Sequence, residues 1–131
     1  MDSYEIGEDE EDISVVWFQQ GVPEAFKLFF FQYYPELFRF ARVLVQDRLT
    51  TQRLCMDAFF LCFDRRADLS SDEKIKSFLY LAVRNNCMDH IRWMTDPANA
   101  DKPEPAPIPP PAALPRDIVR DLFEFAAVGL R

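Results

Sequence analysis

From residue 13 onward the chain alternates long apolar stretches with short polar breaks, and its apolar positions recur with a helical period. "ISVVWFQQG", residues 13–21, reads as a short amphipathic helix ending at Gly21. "VPEAFKLFFFQYY" starts afresh, with Pro23 suited to a first helical turn. Pro35 marks the next break, as a boundary or as a kink. Beyond it Leu37, Phe40, Ala41 and Leu44 fall at i, i+3, i+4 and i+7 on one face, with Arg39 and Arg42 off it. "QDRLT" is a polar turn, and "TQRLCMDAFFLCF" predicts a helix from about Thr51 to Phe63. "DRRADLSSD" is the main internal loop. Ser70 with Glu73 three residues later gives a capping-box signature for a long helix that runs to about Trp93. The expected fold is all-α: a small bundle of three to four helices over residues 13–94, including a short leading helix.

After Thr95 the pattern changes. "TDPANADKPEPAPIPPPAALP", residues 95–115, holds eight of the ten prolines and cannot be a regular helix. It is expected to be an extended, semi-rigid linker reaching up to about 60 Å at roughly 3.1 Å per residue. Helical periodicity resumes in "RDIVRDLFEFAAVGLR", residues 116–131, through Ile118, Leu122, Phe125 and Ala126. So short a segment cannot make a domain alone, and it reads as the start of a second one.

Composition changes this picture at three points. The formal charge of −7 is misleading, because seven of the 22 acids lie in "MDSYEIGEDEED", residues 1–12. Without that tail, 15 acids face 15 bases, and Arg39 to Arg92 carries ten bases against seven acids. The tail reads as a solvated, disordered end, with a DNA-mimicking inhibitory strip as the sharper alternative. The 13 Phe residues suggest a Phe-rich core. Cys55, Cys62 and Cys87 make an odd count on probable helices, which favours small buried thiols in a reducing cytosol over disulfides. His90 is the only histidine and no paired Cys spacing occurs, so neither a metal nor another cofactor is expected. No catalytic motif is present. Cys87 and His90 lie three apart on one helix, but without an orienting third group they make a poor case for an enzyme. With no signal-like or membrane-spanning run, a cytoplasmic protein is expected.

"IKSFLYLAVRNNCMDHIR", residues 75–92, is the most informative stretch. With Lys74 before it, Ser77, Arg84, Asn85, Asp89 and Arg92 gather within an arc of about 140° at roughly 100° per residue. Leu81 and Met88 interrupt that arc, while Leu79, Val83, Cys87 and Met94 sit opposite. Asn and Arg can contact base edges in bidentate fashion, and Lys and Ser can hold phosphates. The preceding loop adds Arg65 and Arg66, with Phe63, Phe78 and Tyr80 as candidate stacking rings. Bases beside aromatics suit a single strand. On composition alone, a solvated outer face is the simpler reading.

Order along the chain adds to this. "YYPELFRFAR", "DAFFLCFDRR" and "IKSFLYLAVRNNCMDHIR" together resemble region two of bacterial sigma factors, most of all the extracytoplasmic-function group of the sigma-70 family. The resemblance covers about residues 23–93, and "LPRDIVRDLFEFAAVGL" is similar to the opening of region four. It implies a transcription initiation factor that binds core RNA polymerase and recognises and melts the promoter −10 element. By that resemblance Arg53, Met56, Asp57 and Phe60 would dock on the polymerase clamp coiled coil, and Asp64 to Asp72 would pocket a flipped base. Arg65, Arg66, Lys74, Lys76, Ser77, Tyr80, Arg84, Asn85, Asp89 and Arg92 would contact the −10 non-template single strand. No small-molecule substrate and no membrane partner are implied.

The polymerase-binding helix departs from the family pattern. Gln52, Arg53 and Met56 stand where an acidic pair and a glutamine are usual, and Phe63 where a Trp usually closes the helix. The alternative is therefore a divergent sigma-like helical module that binds an anti-sigma factor, or another protein, without initiating transcription.

Overall fold

A computed structural model of the chain describes residues 13–128. The acidic tail, residues 1–12, and residues 129–131 lie outside the described part. Over the described residues the protein is all-helical: α1 spans residues 13–19, α2 Pro23–Leu44, α3 Arg48–Asp64, α4 Asp72–Thr95 and α5 Arg116–Val128. This is the helical bundle that the apolar period predicts.

Local chemistry accounts for most of the boundaries. Gly21 turns the chain between α1 and α2 at φ +83°, a left-handed conformation that glycine adopts without a Cβ penalty. Pro35 proves to be no boundary. It withholds one backbone donor, yet Tyr33, Tyr34, Leu37 and Phe38 around it are all buried, and packing carries α2 through. Asp47 caps α3, its carboxylate accepting from the Thr50 amide at 2.9 Å, so the helix begins three residues before the expected Thr51. The α4 cap is Ser71, not Ser70: the Ser71 hydroxyl accepts from the Lys74 amide at 3.1 Å. Ser70 instead accepts from Lys74 Nζ, also at 3.1 Å.

The core is aromatic. Phe18, Phe26, Phe30, Tyr34, Phe59, Phe60 and Phe63 are all fully or almost fully buried. Phe30 lies 4.8 Å from Tyr34 and 4.6 Å from Phe59, while Phe26 meets Phe63 edge-on at 5.2 Å. Such pairings add to the area term. Cys55, Cys62 and Cys87 are buried free thiols, as their place on apolar helices suggests. α3 lies at the centre, with every residue from Leu54 to Phe60 buried, as a helix walled on all sides requires.

Two of those walls are unexpected. Residues 103–111 form no helix, but they do not lead away from the bundle. They run back along α3, where the Ile108 amide donates to Asp57 Oδ1 at 3.0 Å and Glu104 pairs with Arg53 at 3.1 Å. α5 then docks on α2. Ile118, Leu122 and Ala126 are buried, Phe125 stacks on Phe31 at 4.6 Å, and Lys27 pairs with Asp121 at 2.8 Å. An amphipathic helix of 13 residues is marginal alone in water. The apolar side of α2 gives it a surface on which to bury its stripe.

Candidate nucleic-acid interface

Side-chain contacts from α2 help to orient α4. Tyr33 donates to Asp72 Oδ1 at 2.5 Å, and Tyr80 donates to Glu36 Oε2 at 2.5 Å. Lys76 Nζ stands 3.8 Å from the same Glu36 carboxylate. Ile75, Leu79, Ala82, Val83 and Cys87 face the core. The opposite side of the helix is thereby held toward solvent.

That side carries most of the expected DNA-contacting residues. Lys74, Lys76, Ser77, Arg84, Asn85, Asp89 and Arg92 are all exposed. Among the described residues, no hydrogen bond or ion pair engages the side chains of Ser77, Arg84 or Asn85. Leu81, inside the arc, is 58% exposed, which puts an apolar side chain among uncommitted polar ones. Asp89 would repel a phosphate, but it is paired with Arg92 one turn on.

Three of the expected residues are placed differently. Tyr80 is half-buried, its ring edge-on to Phe40 at 5.3 Å and its hydroxyl committed to Glu36. The hydrogen bond to Glu36, then burial and the Glu36 charge, push the phenol up to about 12. Arg66 turns inward: its guanidinium lies 4.3 Å from the Phe63 ring centroid, and Nη1 donates to the Phe63 carbonyl at 3.0 Å. It packs against Gly21, and Gln19 reaches across from α1 to the Arg66 carbonyl at 3.1 Å. Arg66 therefore fixes the loop, leaving Arg65 as its exposed base. Phe63 is buried beneath that guanidinium and offers no stacking ring.

The expected polymerase-contacting residues lie under other parts of the chain. Met56, Asp57 and Phe60 are buried, and Arg53 is half-buried, because residues 104–110 and α5 lie over them. Phe60 meets Phe123 of α5 at 6.2 Å. Burial raises the Asp57 carboxyl above the usual carboxylate range, and the Ile108 amide and Arg53 offset only part of that. Helical period could not give this result, because part of the cover is a Pro-rich segment that has no period and the rest depends on where α5 docks. Asn86 was missed as well: its side chain donates to the Leu54 carbonyl at 3.0 Å and ties α4 to α3. The only signal for it was its place 100° round from Asn85, toward the apolar side.

All three thiols are buried, and burial pushes Cys87 up to about 11, so its place near His90 supplies no thiolate at neutral pH. No helix among the described residues is long and apolar enough to cross a membrane. No protein-family model, curated protein or solved structure matches the chain.

Proposed function

We propose that this helical domain is a sigma-region-two-like transcription initiation factor, which captures unpaired bases of the promoter −10 element on α4 and associates with core RNA polymerase. One observation carries the reading: Ser77, Arg84 and Asn85 stand exposed and uncommitted around Leu81. Extruding a base costs a few kcal/mol. Bidentate contacts from Arg84 and Asn85, apolar contact with Leu81, and phosphate contacts from Lys74 and Lys76 would offset that cost. The modest positive charge of the face suits a few unpaired bases better than a long duplex. Melting on this reading is driven by binding energy, with no covalent chemistry.

The test is fluorescence anisotropy at low salt, using a labelled −10-type non-template single strand and the matching duplex. The single strand should bind more tightly, with affinity falling steeply as salt rises. Arg84→Ala and Asn85→Ala should each weaken binding about tenfold while leaving the helical circular dichroism unchanged. Equal binding by both variants and the parent protein would refute the assignment.

A second reading is favoured by a separate observation. The α3 face that should meet polymerase is buried, and it also departs from the family pattern at Gln52, Arg53 and Met56. The domain would then be a sigma-like module for an anti-sigma factor. A pulldown that recovers an anti-sigma protein but no polymerase subunits would select it.

A further inference from the structure

The segment that covers α3 is itself hardly buried. Residues 101–110 are all exposed, and Ile108, the largest apolar side chain among them, remains 39% exposed. What they cover is the reverse: Met56 is 2% and Phe60 1% exposed. A segment that formed part of the core would bury itself as fully as its partners. This one lies across α3 as a thin cover. Two polar contacts fasten it, the Ile108 amide to Asp57 and the Glu104 carboxylate to Arg53. Nor does it fill the surface beneath. An open, largely apolar groove of about 610 Å³ remains, lined by Leu49, Met56 and Phe60 of α3, by Ile108 and Pro109, and by Phe123.

We propose that residues 104–110 are an autoinhibitory strap. Closed on α3, they withhold the Arg53, Met56, Asp57 and Phe60 face from a protein partner, and breaking the Ile108–Asp57 hydrogen bond opens it. The partner must bring what the strap brings, a donor for the Asp57 carboxylate, together with an apolar side chain for the groove that the strap leaves unfilled. That the partner is core RNA polymerase rests on the function proposed above; the latch itself does not.

Ile108→Pro isolates the latch. Ile108 precedes Pro109 and so already favours extended backbone, which proline also adopts. The substitution removes the amide donor at an exposed position, away from the aromatic core. Ile108→Val keeps the amide and serves as the control. Trp93 borders the same small cavity as Pro105 and Ala106, so in a Trp17→Phe background its emission reports the strap. The proline variant should shift Trp93 emission to the red and raise its quenching by acrylamide, while the valine variant should match the parent. A hydrogen bond to a charged acceptor is worth roughly a 10- to 100-fold change in an equilibrium, and affinity for purified core polymerase should rise by that factor. If neither Trp93 emission nor its quenching changes, there is no latch. If the strap opens and polymerase binds both forms equally well, autoinhibition is overturned while the sigma-like reading stands. If the strap opens and polymerase binds neither form, both are overturned.

Discussion

Leu122→Ala tests whether α5 belongs to the bundle. Leu122 is fully buried at the centre of the α5 stripe, between Ile118 and Ala126. Removing three carbons at about 0.8 kcal/mol each withdraws roughly 2.4 kcal/mol of transfer free energy. The cavity left behind brings the loss to about 3 kcal/mol, within the range for core Leu→Ala changes. Against a total stability on the order of 5–15 kcal/mol, that is a large share, and the midpoint of thermal unfolding should fall by roughly 10 °C. Urea titration followed by circular dichroism gives the number directly. Leu28→Ala is the control: Leu28 is 65% exposed on α2, and its loss should stay within about 0.5 kcal/mol. If Leu122→Ala matched this control, α5 would contribute nothing to the core, and its docking on α2 could not be the reason that it is helical.

The remaining expectations test single contacts. The hydrogen bond from Lys27, helped by the Lys27 and Arg120 charges, holds the Asp121 carboxyl below its usual range. Its contribution to α5 docking is therefore present above the unfolded carboxylate pKa and lost as pH falls through the folded value. Asp121→Asn should thus lower the melting temperature at pH 7 and become indistinguishable from the parent near pH 2. Gly21→Ala forces a Cβ into a left-handed turn, 3.3 Å from the Arg66 guanidinium, and should cost on the order of 1–2 kcal/mol in the same urea titration. Burial pushes the Cys62 thiol up to about 12 and Cys87 to about 11. A chromogenic disulfide reagent at pH 8 should leave all three thiols untouched until urea unfolds the bundle; rapid native labelling would contradict their burial.

Much of the architecture was legible because helices announce themselves through apolar period and caps. The stripe through Ile118, Leu122 and Ala126 followed from spacing, and the start of the helix at Asp72 from a capping-box signature, to within a residue. The α4 cap was legible to within a residue, whereas the Asp47 cap of α3 lay inside a stretch that reads as a turn. Ser70 and Ser71 are chemically alike, and only backbone geometry chose between them. Pro35 could not be resolved, since the choice between break and continuation lay with the buried neighbours Tyr34 and Leu37. The exposed arc of α4 also followed from period. What did not follow was every contact between segments far apart in sequence: Arg66 against Gly21, Tyr80 on Glu36, and Ile108 on Asp57. These depend on where the bundle brings the chain back, and the local pattern carries no trace of that. A proline-rich stretch is compatible with a spacer and with a strap, and two polar contacts, Ile108 to Asp57 and Glu104 to Arg53, separate the two here.

The strap also has a consequence for the order in which the protein is made. Asp57 and the amide that reaches it are 51 residues apart. At roughly 5–20 residues per second, the ribosome delivers the α3 face on the order of 3–10 s before the segment that will cover it. During that interval Met56 and Phe60 lack the cover of residues 104–110 and α5. A binding partner or chaperone present at the ribosome could reach this surface with no latch to open, whereas one that meets the finished protein must compete with the strap.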